Sequence, residues 1–108
     1  MCPANGRVLI AEDDESLASM LAETFTRHDL ETRVALTGAS ALREVVEFGP
    51  GLLVLDLGLP DGDGFQVVAW LRTNVSKDAM AVLVYTARDL TEADQADLRN
   101  RLINRFLS

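Results

Sequence analysis

The segment Leu52-Leu53-Val54-Leu55 is an apolar run without a polar break. It ends on the carboxylate of Asp56 and passes at once into the loop Leu57-Gly58-Leu59-Pro60-Asp61-Gly62-Asp63-Gly64. Such a run reads as a strand buried on both faces, the kind that belongs to a parallel sheet with helices on each side. The loop opens a helix through Asp63, with Gln66 three residues on as the back-bonding half of a capping box. In open α/β sheets the ligand site lies just beyond the carboxyl ends of the strands. Asp56 therefore stands where chemistry is done rather than where a core is held together.

A second group of acids arrives by the same device. Val8-Leu9-Ile10-Ala11 is another buried-strand run and ends in Glu12-Asp13-Asp14-Glu15. If the two strands are neighbours in one sheet, their acidic ends converge, and crowded carboxylates repel unless something positive intervenes. A hard divalent cation with oxygen ligands is the natural neutraliser. Mg²⁺ suits the set better than Ca²⁺, because it is held by one or two carboxylates together with waters and phosphate oxygens. Acids at a helix N-terminus are also favoured by the helix dipole alone. That plainer reading is taken for Asp14 and Glu15, and the metal-site reading for Asp13 and Asp56. The D-x-D-G of Asp61 and Asp63 resembles the start of a calcium loop, but Phe65 fills the next ligand place and no glutamate closes the loop.

Strand and helix signals alternate along the rest of the chain. Leu17, Met20, Leu21, Thr24 and Phe25 recur at helical spacing toward Arg27-His28, and residues 31–36 alternate as a half-buried edge strand. Thr37-Gly38 leads into a helix with Leu42, Val45 and Val46 on one face, stopped by Gly49-Pro50. Residues 65–72 form the next helix, residues 81–86 a fourth strand, Thr91-Glu92-Ala93-Asp94 a helix start and residues 103–107 a fifth strand. The string βαβαβαβαβ predicts a doubly wound α/β fold with a parallel five-stranded sheet and right-handed crossovers.

With 108 residues the chain is expected to be one domain, residues 1–108. A net charge of −7 argues against direct binding of nucleic acid or an anionic membrane. No apolar run is long enough to span a bilayer. The one cysteine, Cys2, has no partner for an internal disulfide, which points to a reducing, cytoplasmic setting. His28 reads as a solvated residue at a helix end, and Trp70 as a packing residue.

Taken in order, these residues resemble the receiver domain of two-component response regulators, over almost the whole chain. The family pattern has an acidic pair after the first strand, matched by Glu12 and Asp13, and an acceptor aspartate after the third, matched by Asp56. The loop from Asp56 to Gly64 matches the family's D-x-x-L-P-x-x-D-G. Thr86-Ala87 matches the switch hydroxyl with its small neighbour, and Phe106 falls where the switch aromatic stands. The resemblance implies a flavodoxin-like receiver fold that accepts a phosphoryl group from a histidine kinase, a phosphotransfer protein or a small acyl phosphate on Asp56. It implies Mg²⁺ held by Asp13, Asp56 and the backbone carbonyl of Gly58, with Glu12 acting through a metal-bound water. Thr86 then contacts the phosphoryl group, and Phe106 repacks to alter the surface.

Three departures accompany the match. The family lysine after the fifth strand has no counterpart, since the single lysine is Lys77. The last helix is also absent, so the chain is expected to be a receiver cut short after its fifth strand, and a homodimer through uncovered surface is one consequence. Arg99-Asn100-Arg101 also replaces the small residues that usually approach that strand. Arg88, two residues past Thr86, is placed to tune hydrolysis of the acyl phosphate. Two other functions compete. An aspartate-nucleophile phosphohydrolase needs a second acid two residues after the nucleophile, where Gly58 stands. A pseudo-receiver serving only as an interaction module fits the missing lysine but not the intact acidic set.

Overall fold

The computed structural model describes residues 5–56, 59, 64–75, 79–85 and 105–107, with the side chains of residues 65, 72 and 105–107 outside the description. Its elements alternate as β1 (Arg7–Ala11), α1 (Glu15–Thr26), β2 (Glu31–Ala35), α2 (Gly38–Phe48), β3 (Leu52–Asp56), α3 (Gly64–Asn74), β4 (Ala81–Tyr85) and β5 (Arg105–Leu107). All neighbouring strands are parallel, in the order β2-β1-β3-β4-β5. This is the doubly wound order in which the crossovers reverse between β1 and β3. The expected helix start at Thr91 and the Asp63 half of the capping box lie outside the described residues.

Side-chain parity in the strands divides the core into two layers. Val8 and Ile10 of β1, with Leu52 and Val54 of β3, face α1 and pack against Leu21, Ala22 and Phe25. Leu9 and Ala11, with Leu53 and Leu55, face the other way, toward Ala41, Val45 and Phe48 of α2 and Val67, Val68 and Leu71 of α3. Both faces of β1 and β3 are covered, which is why these runs carry no polar break.

The helix ends follow their local chemistry. Thr37 caps α2 in a reciprocal box: its Oγ1 accepts the Ser40 N–H at 3.1 Å, while Ser40 Oγ accepts the Thr37 N–H at 3.2 Å. Gly49 ends the helix at φ 64°, the left-handed conformation that glycine adopts without a Cβ penalty. His28 sits exposed just past α1, its N–H donating to the Phe25 carbonyl at 3.0 Å. Trp70 packs partly buried against the α2–α3 layer.

Three details of the sequence reading are corrected. Val46 does not face the core: it is 71% exposed, and the inner stripe of α2 runs through Ala41, Val45 and Phe48. Met20 is 61% exposed, and the fully buried residue of α1 is Ala18. In β2 the alternation yields one buried side chain, Ala35, with Val34 still 39% exposed, because a sheet edge covered by short helices offers little depth. Arg33 uses that edge differently, lying 4.6 Å over the Phe48 ring and pairing with Glu44 at 3.1 Å.

Candidate metal centre at the strand ends

The acids meet because of register. Ala11 pairs with Leu55, so the residues that follow, Glu12 and Asp56, come off adjacent strand ends. The next strand continues the row, with Asp56 paired to Tyr85. Parity then places all three side chains on the α1 side of the sheet, one step beyond Ile10, Val54 and Leu83. The Glu12 N–H donates to the Ala35 carbonyl at 3.0 Å, which ties the start of this loop to the end of β2.

Glu12, Asp13 and Asp56 each bring one carboxylate oxygen to within 4.8 Å of the others. Their burial is graded: Glu12 is only 4% exposed, Asp56 is half-buried and Asp13 is exposed. Asp14 is occupied elsewhere, its Oδ1 accepting the N–H groups of Ser16 and Leu17 at 3.0 and 3.2 Å as the N-cap of α1. Glu15 lies in the first turn of that helix, where an acid complements the dipole. The division made from the sequence between capping acids and converging acids thus holds for Asp14 and Glu15.

Burial pushes the Glu12 carboxyl from an ordinary 4.5 up to about 7. Its contact with Asp56 and the charges of Asp56 and Asp13 push the same way, and the nearby Tyr85 hydroxyl draws it partly back. Glu12 Oε2 is buried and has no hydrogen-bond partner among the described residues. Three carboxylates this close repel one another, and a small oxygen-seeking cation, or the water it carries, relieves the crowding. The donor set is all oxygen and fits Mg²⁺.

Glu12 also makes stability depend on pH. Because its folded pKa is raised, its contribution is fully present below about 4.5 and is lost as pH rises through about 7. The metal-free protein is expected to lose on the order of 1–3 kcal/mol by this route between those values. Thermal unfolding in chelator at pH 5 and pH 8 measures it, with Glu12→Gln as reference. The variant should show a shallower decline with pH, and an identical decline would rule out Glu12 as the source.

Gly58 and Thr86 lie outside the described residues. Phe106 lies in β5, in register with Val84, and its side chain is outside the description. The sequence reading passed over Tyr85, whose buried hydroxyl also lacks a hydrogen-bond partner. Parity could have found it, since Ala81, Leu83 and Tyr85 alternate onto the face that Val54 and Asp56 share.

Comparison with known proteins agrees with the fold. The family model for the response regulator receiver domain matches residues 8–108. The transcriptional regulatory protein GltR of Pseudomonas aeruginosa is 32% identical over 95 residues, covering 87% of this chain and 38% of that protein. The sensory transduction protein RegX3 of Mycolicibacterium smegmatis is 40% identical over 82 residues, covering 76% of this chain and 35% of its own length. The chain thus spans little more than a third of these relatives. Among solved structures, the signal receiver domain of a putative Luxo repressor protein from Vibrio parahaemolyticus superposes with a TM-score of 0.83. It is 28% identical and covers 99% of this chain and 78% of that one.

Proposed function

Because the chain belongs to the response regulator receiver family, we propose that it takes a phosphoryl group from a histidine kinase or phosphotransfer protein onto Asp56 and changes its surface in response. The observation that carries this reading is the convergence of Glu12, Asp13 and Asp56 within 4.8 Å at the point where the crossovers reverse. Asp56 is the half-buried member, set at the end of a strand packed on both faces, so its carboxylate is held in place yet reachable.

In the transfer, an ionised Asp56 oxygen attacks phosphorus in line. The P–N bond of the donor's phosphohistidine breaks, its electron pair leaves with the imidazole, and the ring takes up a proton from solvent. A carboxyl–phosphate anhydride remains on Asp56. Asp13, Asp56 and the Gly58 carbonyl are the groups to hold Mg²⁺, with Glu12 reaching it through water. Held there, Mg²⁺ would supply positive charge beside the phosphoryl oxygens.

The new group adds charge and acceptor oxygens beside β4. Thr86 follows that strand directly and donates its hydroxyl to one of them, and Phe106, on the neighbouring strand, repacks. The result is a shift in population between two surfaces rather than a released product. A domain of net charge −7 is poorly suited to contact nucleic acid, so any such contact belongs to other parts of a longer regulator.

Intact mass after incubation with acetyl phosphate tests the reading. A gain of one phosphoryl group that needs Mg²⁺ and disappears with chelator is the expected result. No gain in the presence of Mg²⁺ would refute phosphoacceptor function.

A further inference from the structure

The geometry points to Tyr85 as a positioning residue of the acidic site, its hydroxyl donating a hydrogen bond to Glu12 and leaving the other carboxylate oxygen for the metal side. The inference rests on the metal-site reading above and adds a residue to it.

Three observations support it. Tyr85 closes the row that begins with Glu12 and passes through Asp56, on the same face and at the same end of three adjacent strands. The Tyr85 hydroxyl and Glu12 Oε2 are buried side-chain atoms without hydrogen-bond partners, one a donor and the other an acceptor. Two complementary orphans at one site are an unmade bond, and each alone carries a desolvation cost. The third observation is the setting of the ring, which lines an apolar hollow with Leu17, Leu21, Val54 and Leu83. That hollow offers the phenol no polar group, so the acidic end is where its hydroxyl can be satisfied.

The two groups already lie near enough to perturb each other. Burial, and then Glu12, push the phenol well above its ordinary range, while the phenol draws the carboxyl down. Partners of this kind, standing behind a metal-binding group, fix its orientation and raise affinity without touching the ion. Tyr85 acts in this way through Glu12.

Tyr85→Phe deletes the hydroxyl and keeps the ring in its apolar hollow. Calorimetric titration of the whole chain with Mg²⁺ alone should give a dissociation constant raised roughly tenfold. The unfolding midpoint in chelator should fall only slightly, because one buried hydrogen bond has gone while the ring keeps its place. A merely structural tyrosine would lower stability and leave the affinity for Mg²⁺ unchanged. In a Glu12→Gln background the same substitution should change affinity by less than about twofold, since the two residues act as one unit. Wild-type affinity retained within about twofold in Tyr85→Phe overturns the proposal, as does an undiminished tenfold loss in the Glu12→Gln background. A wild-type chain that binds no Mg²⁺ overturns the metal-site reading itself, and this inference with it.

Discussion

Asp56→Asn is expected to abolish phosphoryl uptake from acetyl phosphate while leaving a folded protein. The amide keeps the shape of the side chain at the end of β3 but has no anionic oxygen to attack phosphorus. The loss should therefore be complete rather than partial. Fold is not at risk on electrostatic grounds, because the substitution removes one of three acids that share a space of 4.8 Å. The unfolding midpoint in chelator should be equal to or above that of the wild type. Intact mass and thermal unfolding on one preparation give both answers. Glu12 and Asp13 are the other carboxylates within reach, so a variant that still gained one phosphoryl group, mapped to either of them, would reassign the acceptor. Loss of labelling together with a large fall in midpoint would show that Asp56 holds the structure instead.

The parts of this arrangement legible in the sequence are those in which one residue type at one period has one physical meaning. An unbroken apolar run reads as a strand of a parallel sheet covered on both faces, and both Val8–Ala11 and Leu52–Leu55 are such strands. Convergence of their acids followed from pairing the two strands, which the register of Ala11 with Leu55 provides. Helical faces were less legible. A period of 3.6 defines a stripe but not its centre, and small residues carry the closest contacts. Ala18 and Ala41 are buried while the larger Met20 and Val46 stand in solvent. Tyr85 escaped notice because an aromatic at the end of an apolar strand has an ordinary packing meaning. Its distinction comes from the row it shares with Glu12 and Asp56, a property of three strands together that no single segment displays.

The strand that ends in Asp56 should also be a highly sensitive part of the core. Leu53 is fully buried on the α2–α3 face of β3, three residues before Asp56 and in register with Leu9 on one side and Val82 on the other. Leu53→Ala removes side-chain volume where strands on both sides prevent collapse around the void, so the cost should fall in the range of about 2–5 kcal/mol. Against a total stability of about 5–15 kcal/mol for a domain of this size, that is a large fraction. The unfolding midpoint should drop by at least about 8 °C. Val46→Ala is the matched control: it also deletes apolar atoms, but from a side chain 71% exposed, and should stay within about 0.5 kcal/mol of wild type. Denaturant unfolding of the two variants separates buried area from mere hydrophobicity. Equal losses would mean that α2 packs through Val46 after all, and that the layer supporting Asp56 from below is built differently. A selective loss in Leu53→Ala would show that the strand ending in Asp56 is held by the burial of its own apolar run.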